Sequence, residues 1–136
     1  FLAARAQLTK KGILPDLKKN KLVICDRFCD STLVYQGYGK MMNKDIIRNC
    51  NMFVTGELKP SVTIIIDIDY NTSLKRMGKN KDRIEQNSRT FFENVIEGYK
   101  ELAKDSPDRY FLVNGRSSEE EIHQLIWEKI NKELYL

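Results

Sequence analysis

Leu22-Val23-Ile24-Cys25-Asp26-Arg27-Phe28 runs from four consecutive apolar residues straight into a charged pair. A short, continuously apolar run predicts a strand covered on both faces, as in a parallel sheet. The charged pair then falls at the strand's carboxyl end, where open parallel sheets bind their ligands. Two further stretches repeat the pattern. Thr63-Ile64-Ile65-Ile66-Asp67-Ile68 is rich in β-branched side chains and runs on to Asp69. Tyr110-Phe111-Leu112-Val113 passes into Asn114-Gly115-Arg116. Each exit alone reads as an ordinary turn; three together point to a common cleft.

Helical patterns separate these strands. Residues 1–19 carry Leu2, Ala6, Ile13, Leu14 and Leu17 among charges, predicting one helix or two joined near Gly12 and Pro15. A short helix is expected from Ser31 to Tyr35, stopped by Gly37 and Gly39. The next holds Ile46, Ile47, Cys50, Phe53 and Val54 on one stripe, with Asn43 as its cap and Gly56 and Pro60 beyond its end. Residues 71–76 and 85–104 read as a short helix and a long amphipathic one. Ser118 and Glu121 form a capping box opening a last helix, with Ile122, Leu125, Ile126 and Ile130 inward and His123 on the surface. Strands alternating with helices predict an α/β domain with a parallel sheet. Three strands are few for so many helices, so strands are expected to be missing.

Composition narrows the function classes. A chain of 136 residues fits one domain, and 41% hydrophobic with 31% charged residues reads as globular. No apolar run has the length of a membrane span, and residues 1–5 do not resemble a signal peptide. Lys and Arg number 23 and Asp and Glu 19, a formal charge of +4. That excess suits a small anionic partner; nucleic acid is not expected, because no aromatic platform interleaves the basic residues. Cys25, Cys29 and Cys50 lack Cys-x-x-Cys spacing and, with the single His123, form no metal quartet. Reduced thiols in a cytoplasmic protein are the expectation.

Arg27 carries a planar, permanently charged fork that matches a phosphoryl group. Asp26 would repel a phosphate, and is explained if it orders Arg27 or holds a hydrated Mg²⁺. The pair is therefore either a phosphate clamp or a structural ion pair at a strand end. Arg76, Lys79, Lys81 and Arg83 flank Gly78; they are either a loop that closes over transferring phosphates or a solvated charge run. Phe1 and Arg5, four apart, share a helix face as a base-recognition pair or as a packed ring with a snorkelling cation.

Phe1-Leu2-Ala3-Ala4-Arg5-Ala6-Gln7 and Cys25-Asp26-Arg27-Phe28-Cys29-Asp30-Ser31-Thr32-Leu33-Val34-Tyr35-Gln36-Gly37 resemble the thymidylate kinases, the bacterial type in particular. Asp82-Arg83-Ile84-Glu85-Gln86 and Gly98-Tyr99-Lys100-Glu101-Leu102-Ala103 extend the likeness in register over nearly the whole chain. The resemblance implies a P-loop nucleoside-monophosphate kinase fold and transfer of the ATP γ-phosphoryl group to dTMP, giving dTDP and ADP. By it Phe1 stacks on thymine, Arg5 bonds the base O4, and Thr32 with Gln36 faces the base edge, beside Ser31. Tyr35 lies against the sugar and disfavours a ribose 2′-hydroxyl. Arg27 holds the dTMP phosphate, with Asp26 near Mg²⁺. Residues 77–84 match the lid, where Arg76, Lys79 and Arg83 are all eligible for the arginine that approaches ATP. Asn114-Gly115-Arg116 matches the loop near the adenine, and a homodimer is implied.

The sequence departs from this family in one large respect: it contains no Gly-x-x-x-x-Gly-Lys-Ser/Thr, the cradle for ATP phosphates. The resemblance places that loop, with the central strand, before the point where these residues begin. Without that strand its two neighbours would stand roughly 9–10 Å apart, with backbone groups unpaired. The expectation is that these 136 residues alone neither fold properly nor catalyse.

Overall fold

A computed structural model describes residues 1–76 and 87–134, in two compact units, Phe1–Lys59 and Pro60–Leu136. In the first unit one continuous helical run joins α1 (Leu2–Leu8), a π-helical turn (Thr9–Ile13) and α2 (Leu14–Leu17). Gly12 does not interrupt it. Pro15 follows closely on the π-helical turn, where the i→i−4 ladder is already interrupted. Asn20, left-handed at φ 56°, turns the chain out of the helix.

The expected strand at Leu22–Cys25 does not form. These residues carry no regular secondary structure, and Leu22 and Ile24 are 62% and 82% exposed. The physical reason is that an apolar run becomes a strand only against a partner, and the first unit has no other extended segment among its described residues.

α3 (Cys29–Thr32) continues directly into a π-helical segment (Leu33–Gly39). It begins earlier than expected and passes through Gly37 instead of stopping there. Gly37 faces α4 (Lys44–Thr55): a Cβ on it would stand 3.0 Å from Lys44 Cγ and 3.5 Å from Ile47 Cδ1. It serves as a packing notch, and Val34 beside it is wholly buried. Asn43 caps α4 as expected, its Oδ1 accepting from the N–H groups of Asp45 and Ile46 at 2.9 and 3.0 Å. Gly56 ends the helix in the left-handed conformation. The buried stripe is Ile47, Asn51 and Thr55, whereas Ile46 and Phe53 are exposed. Adjacent residues sit about 100° apart around a helix, so a stripe holding both Ile46 and Ile47 is wider than one neighbour covers.

In the second unit β1 (Thr63–Asp67) and β2 (Tyr110–Asn114) pair in parallel, in register from Thr63 against Tyr110 to Asp67 against Asn114. Between them lie α5 (Tyr70–Arg76) and α6 (Arg89–Asp105), and α7 (Glu119–Leu134) follows. α6 and α7 both pack on β2, giving the expected α/β architecture of a parallel sheet flanked by helices. Ser88 caps α6, its Oγ accepting from the Phe91 N–H at 3.2 Å. Phe91, Val95, Gly98 and Leu102 are its buried residues. The capping box of α7 is formed, Ser118 N–H to Glu121 Oε2 at 3.0 Å and Glu121 N–H to Ser118 Oγ at 3.2 Å. Leu125 is exposed, against expectation, and His123 lies on the surface with its ring stacked on Trp127. The lid segment 77–84 lies outside the described residues.

Gly115 shows how tightly β2 leaves the sheet. A Cβ there would lie 2.3 Å from Ile68 Cγ2 and 2.8 Å from Ile66 Cγ2. Gly115→Ala should therefore destabilise the intact protein by about 1–3 kcal/mol through overpacking, read as a lower urea midpoint. An unchanged midpoint would mean that the loop is free to retreat from β1.

Candidate functional site

The first unit gathers its candidate residues around one guanidinium. Arg5, on α1, donates from Nη1 to Asn51 Oδ1 at 2.6 Å and from Nη2 to the Phe28 carbonyl at 3.2 Å. Nη2 also donates to Thr32 Oγ1. Its Cζ lies 5.7 Å from the centroid of the Phe28 ring, a cation–π contact. Three of its five N–H groups are thus taken by oxygens among the described residues. Thr32 accepts from Arg5, so its own hydroxyl proton is available to another acceptor.

Arg27 follows at once, in the left-handed region at φ 65°. A non-glycine residue held there stores about 1–3 kcal/mol of strain, which proteins concentrate at functional sites. Its Cζ stands 5.5 Å from the Tyr35 ring centroid. Among the described residues no carboxylate pairs with it; Asp26 is exposed beside it without an ion pair. Of the two sequence readings, the structural ion pair is not what forms. Ser31, Thr32, Tyr35 and Gln36 lie on consecutive turns of one helical run. Phe1 precedes α1 and is 90% exposed, its carbonyl accepting from the Arg5 N–H at 3.0 Å. The ring beneath Arg5 is Phe28, not Phe1. Cys25, Cys29 and Cys50 form no disulfide among the described residues.

In the second unit the strand-end residues form an open groove of about 560 Å³ whose lining includes Asp67, Asp69, Arg89, Lys100, Asn114 and Arg116. Parallel register brings Asp67 level with Asn114. Asn114 Oδ1 accepts from the Arg116 N–H at 3.0 Å, folding the loop on itself. Arg116 reaches Asp69 Oδ2 with Nη2 at 2.6 Å and Nε at 3.1 Å. Asp69 also accepts from Thr72, through its N–H at 3.1 Å and its hydroxyl, at the start of α5. The Thr72 bonds and then the Arg116 guanidinium hold the Asp69 carboxyl well below the usual carboxylate range. The same pair raises the pKa of Arg116. Arg76 is exposed at the end of α5, while Lys79 and Arg83 lie outside the described residues.

Sequence reading missed Asn51, Phe28 and the partnership of Asp69 with Arg116. Asn51 had one available signal: a polar residue on an inward helical stripe between Ile47 and Thr55. Phe28 had none, because its partner lies 23 residues away; Asp69 and Arg116 were each read as strand exits at one cleft, but not as a pair 47 residues apart.

Comparison with known proteins converges on one family. The thymidylate kinase family model matches residues 1–126. The thymidylate kinase of Kosmotoga olearia is 42% identical over 128 residues, covering 93% of this chain and 62% of that protein. That of Trichormus variabilis is 39% identical, covering 98% and 65%. A crystal structure of thymidylate kinase from Ehrlichia chaffeensis superposes with a TM-score of 0.65 at 34% identity, over 83% of this chain and 54% of that one. The chain thus spans less than two thirds of the length of these relatives. No helix among the described residues is long and apolar enough to cross a membrane.

Asp69 sets a pH dependence. Its pKa is lower folded than unfolded, so its contribution to stability is present above about pH 3.9, the ordinary carboxylate value. That contribution fades as pH falls from there toward the folded value. The stability gap between the intact protein and Asp69→Asn should be open near neutral pH and narrow below about pH 4. Urea midpoints taken across that range would show it, and a gap independent of pH would refute it.

Proposed function

We infer that this chain, which belongs to the thymidylate kinase family, forms the acceptor side of an enzyme that transfers the γ-phosphoryl group of ATP to dTMP, giving ADP and dTDP. Its α/β architecture is that of the P-loop nucleoside-monophosphate kinases. The observation that carries the reading is an Arg5 held by three oxygens beside an Arg27 that no carboxylate pairs among the described residues and whose guanidinium stands over the Tyr35 ring. One reads a base edge; the other holds a phosphate.

In this reading the two remaining N–H groups of Arg5 face O4 of thymine, and the Thr32 hydroxyl and Gln36 complete the polar edge, with Ser31 nearby. Phe1, exposed and aromatic, stacks on the base. Tyr35 meets the deoxyribose and rejects a 2′-hydroxyl, since an unmatched polar group in a shaped site costs more than a methylene. Arg27 takes the α-phosphate with its fork. Its position over the Tyr35 ring links the phosphate clamp to the residue that meets the sugar.

The chemistry needs no protein nucleophile: a phosphate oxygen of dTMP attacks the γ-phosphorus, the bridging bond to ADP breaks, and fixed cations offset the charge. Asp26, an exposed carboxylate free of ion pairs among the described residues, fits Mg²⁺, which keeps several waters and takes other ligands from substrate phosphates. Bound there, the ion would neutralise phosphate charge. Arg76, Lys79 and Arg83 supply positive charge on the ATP side. Asn114, Gly115 and Arg116 lie near the adenine, with Arg116 held by Asp69. We place the enzyme in the cytoplasm as a homodimer acting on small molecules, and pairing would cover exposed Ile46 and Phe53 of α4.

The test is turnover by the full-length protein with ATP and a panel of dTMP, dUMP, dCMP and dGMP. dTMP should be preferred, and preference for another nucleotide would move the reading to a related kinase. Arg27→Ala should lower kcat/KM for dTMP by about 10²–10³-fold, and Arg27→Lys should not restore it, because a lysine lacks the fork. The 136 residues purified alone should show neither a cooperative melt nor dTDP formation, since they contain no cradle for the ATP phosphates.

A further inference from the structure

Asn51 is 6% exposed on the inward stripe of α4, flanked by buried Ile47 and Thr55. A buried amide must find partners for both of its ends. Its Oδ1 accepts from Arg5 Nη1 at 2.6 Å, and its Nδ2 donates to the Cys29 carbonyl at 3.1 Å. The neighbouring Phe28 carbonyl accepts from Arg5 Nη2. One planar amide and one planar guanidinium therefore grip two consecutive carbonyls at the start of α3. Helix core alone does not require this arrangement: an apolar residue at 51 would fill the stripe and need no partner. What the amide adds is orientation. Arg5 has rotatable bonds along its whole stem, and Asn51 is the acceptor on Nη1, as the Phe28 carbonyl and Thr32 are on Nη2, so it fixes the plane in which the remaining N–H groups point.

We propose that Asn51 is a positioning residue for nucleobase selection, holding Arg5 so that its remaining donors meet a pyrimidine carrying a 4-oxo group and reject one carrying a 4-amino group. The proposal rests on the reading of Arg5 given above. A 4-oxo group accepts from the guanidinium, whereas a 4-amino group presents a donor to a donor. A rigid guanidinium enforces that difference; a free one swings aside and loses both the affinity and the rejection. Asn51 need not touch the nucleotide to do this.

The experiment measures kcat and KM for dTMP and dCMP in the full-length protein and in Asn51→Ala, Asn51→Asp, Arg5→Ala and the Arg5→Ala/Asn51→Ala double variant. Asn51→Ala should raise KM for dTMP by about 10–100-fold, the range for losing a hydrogen bond to a charged group. It should leave kcat within a few-fold and reduce the preference for dTMP over dCMP. Asn51→Asp keeps the acceptor for Arg5 but loses the bond to Cys29, so it should retain low KM and the preference. In the Arg5→Ala background, Asn51→Ala should add nothing to KM. The proposal is overturned if Asn51→Ala leaves KM and preference unchanged while Arg5→Ala alters both. It is also overturned if Asn51→Asp behaves like Asn51→Ala, which would assign Asn51 to the Cys29 carbonyl instead. Should Asn51→Ala fail to fold, Asn51→Asp decides: loss of preference in a folded Asp variant refutes the role. If Arg5→Ala itself changes nothing, the reading of Arg5 fails, and that result is distinct from the others.

Discussion

A guanidinium has five donors and no acceptor, so drawing Arg5 partly out of water obliges other segments to bring oxygens to it. Asn51 comes from α4, Thr32 from α3 and the Phe28 carbonyl from the turn between them and α2. Hydrogen bonds to a charged group contribute about 1.5–3 kcal/mol each, more than most contacts in so small a unit. They also couple elements that sequence separates by 23 to 46 residues. Arg27 adjoins the same node: it precedes Phe28 in the left-handed conformation, and its guanidinium stands over the Tyr35 ring.

The second unit solves a different problem with smaller means. Two parallel strands end level with one another, which puts Asp67, Asp69 and Arg116 at one edge. Gly115 lets β2 turn away against Ile66 and Ile68 where no side chain fits. Surface ion pairs contribute little to stability, so the bond from Arg116 to Asp69 is better understood as fixing the loop than as holding the fold. Asp69 does double duty, capping α5 through Thr72 and receiving Arg116. A single carboxylate thereby sets the relation between the start of a helix and the exit of a strand.

Local signals were readable from the sequence, because caps and β-branched runs act within a few residues. Asn43, Ser118 with Glu121, and the strands ending at Asp67 and Asn114 all form as their chemistry demands. The stretch at Leu22–Cys25 was misread for a physical reason: a strand is a relation between two segments, and its own composition does not supply the second. Gly37 was misread likewise, since whether a glycine ends a helix or admits a neighbour depends on that neighbour. The site was half visible. Arg5, Thr32, Arg27 and Tyr35 stand out by residue type and by family likeness. Asn51 and Phe28 do not, because their roles arise only when distant segments meet around Arg5. Roles for Lys79 and Arg83 rest on the family likeness alone.

The π-helical run at Leu33–Gly39 has an implication for how such a pocket diversifies. A wider turn accommodates one more residue than an α-helix of equal length, so the segment holds a spare position. Removing one residue there would close the wide turn into an α-helix and leave the side chains on either side pointing as before. The same deletion in the α-helical turn Cys29–Thr32 has no spare position to absorb it and would rotate everything beyond by about 100°. The run is therefore the place in this helical layer where length can change without re-aiming its neighbours.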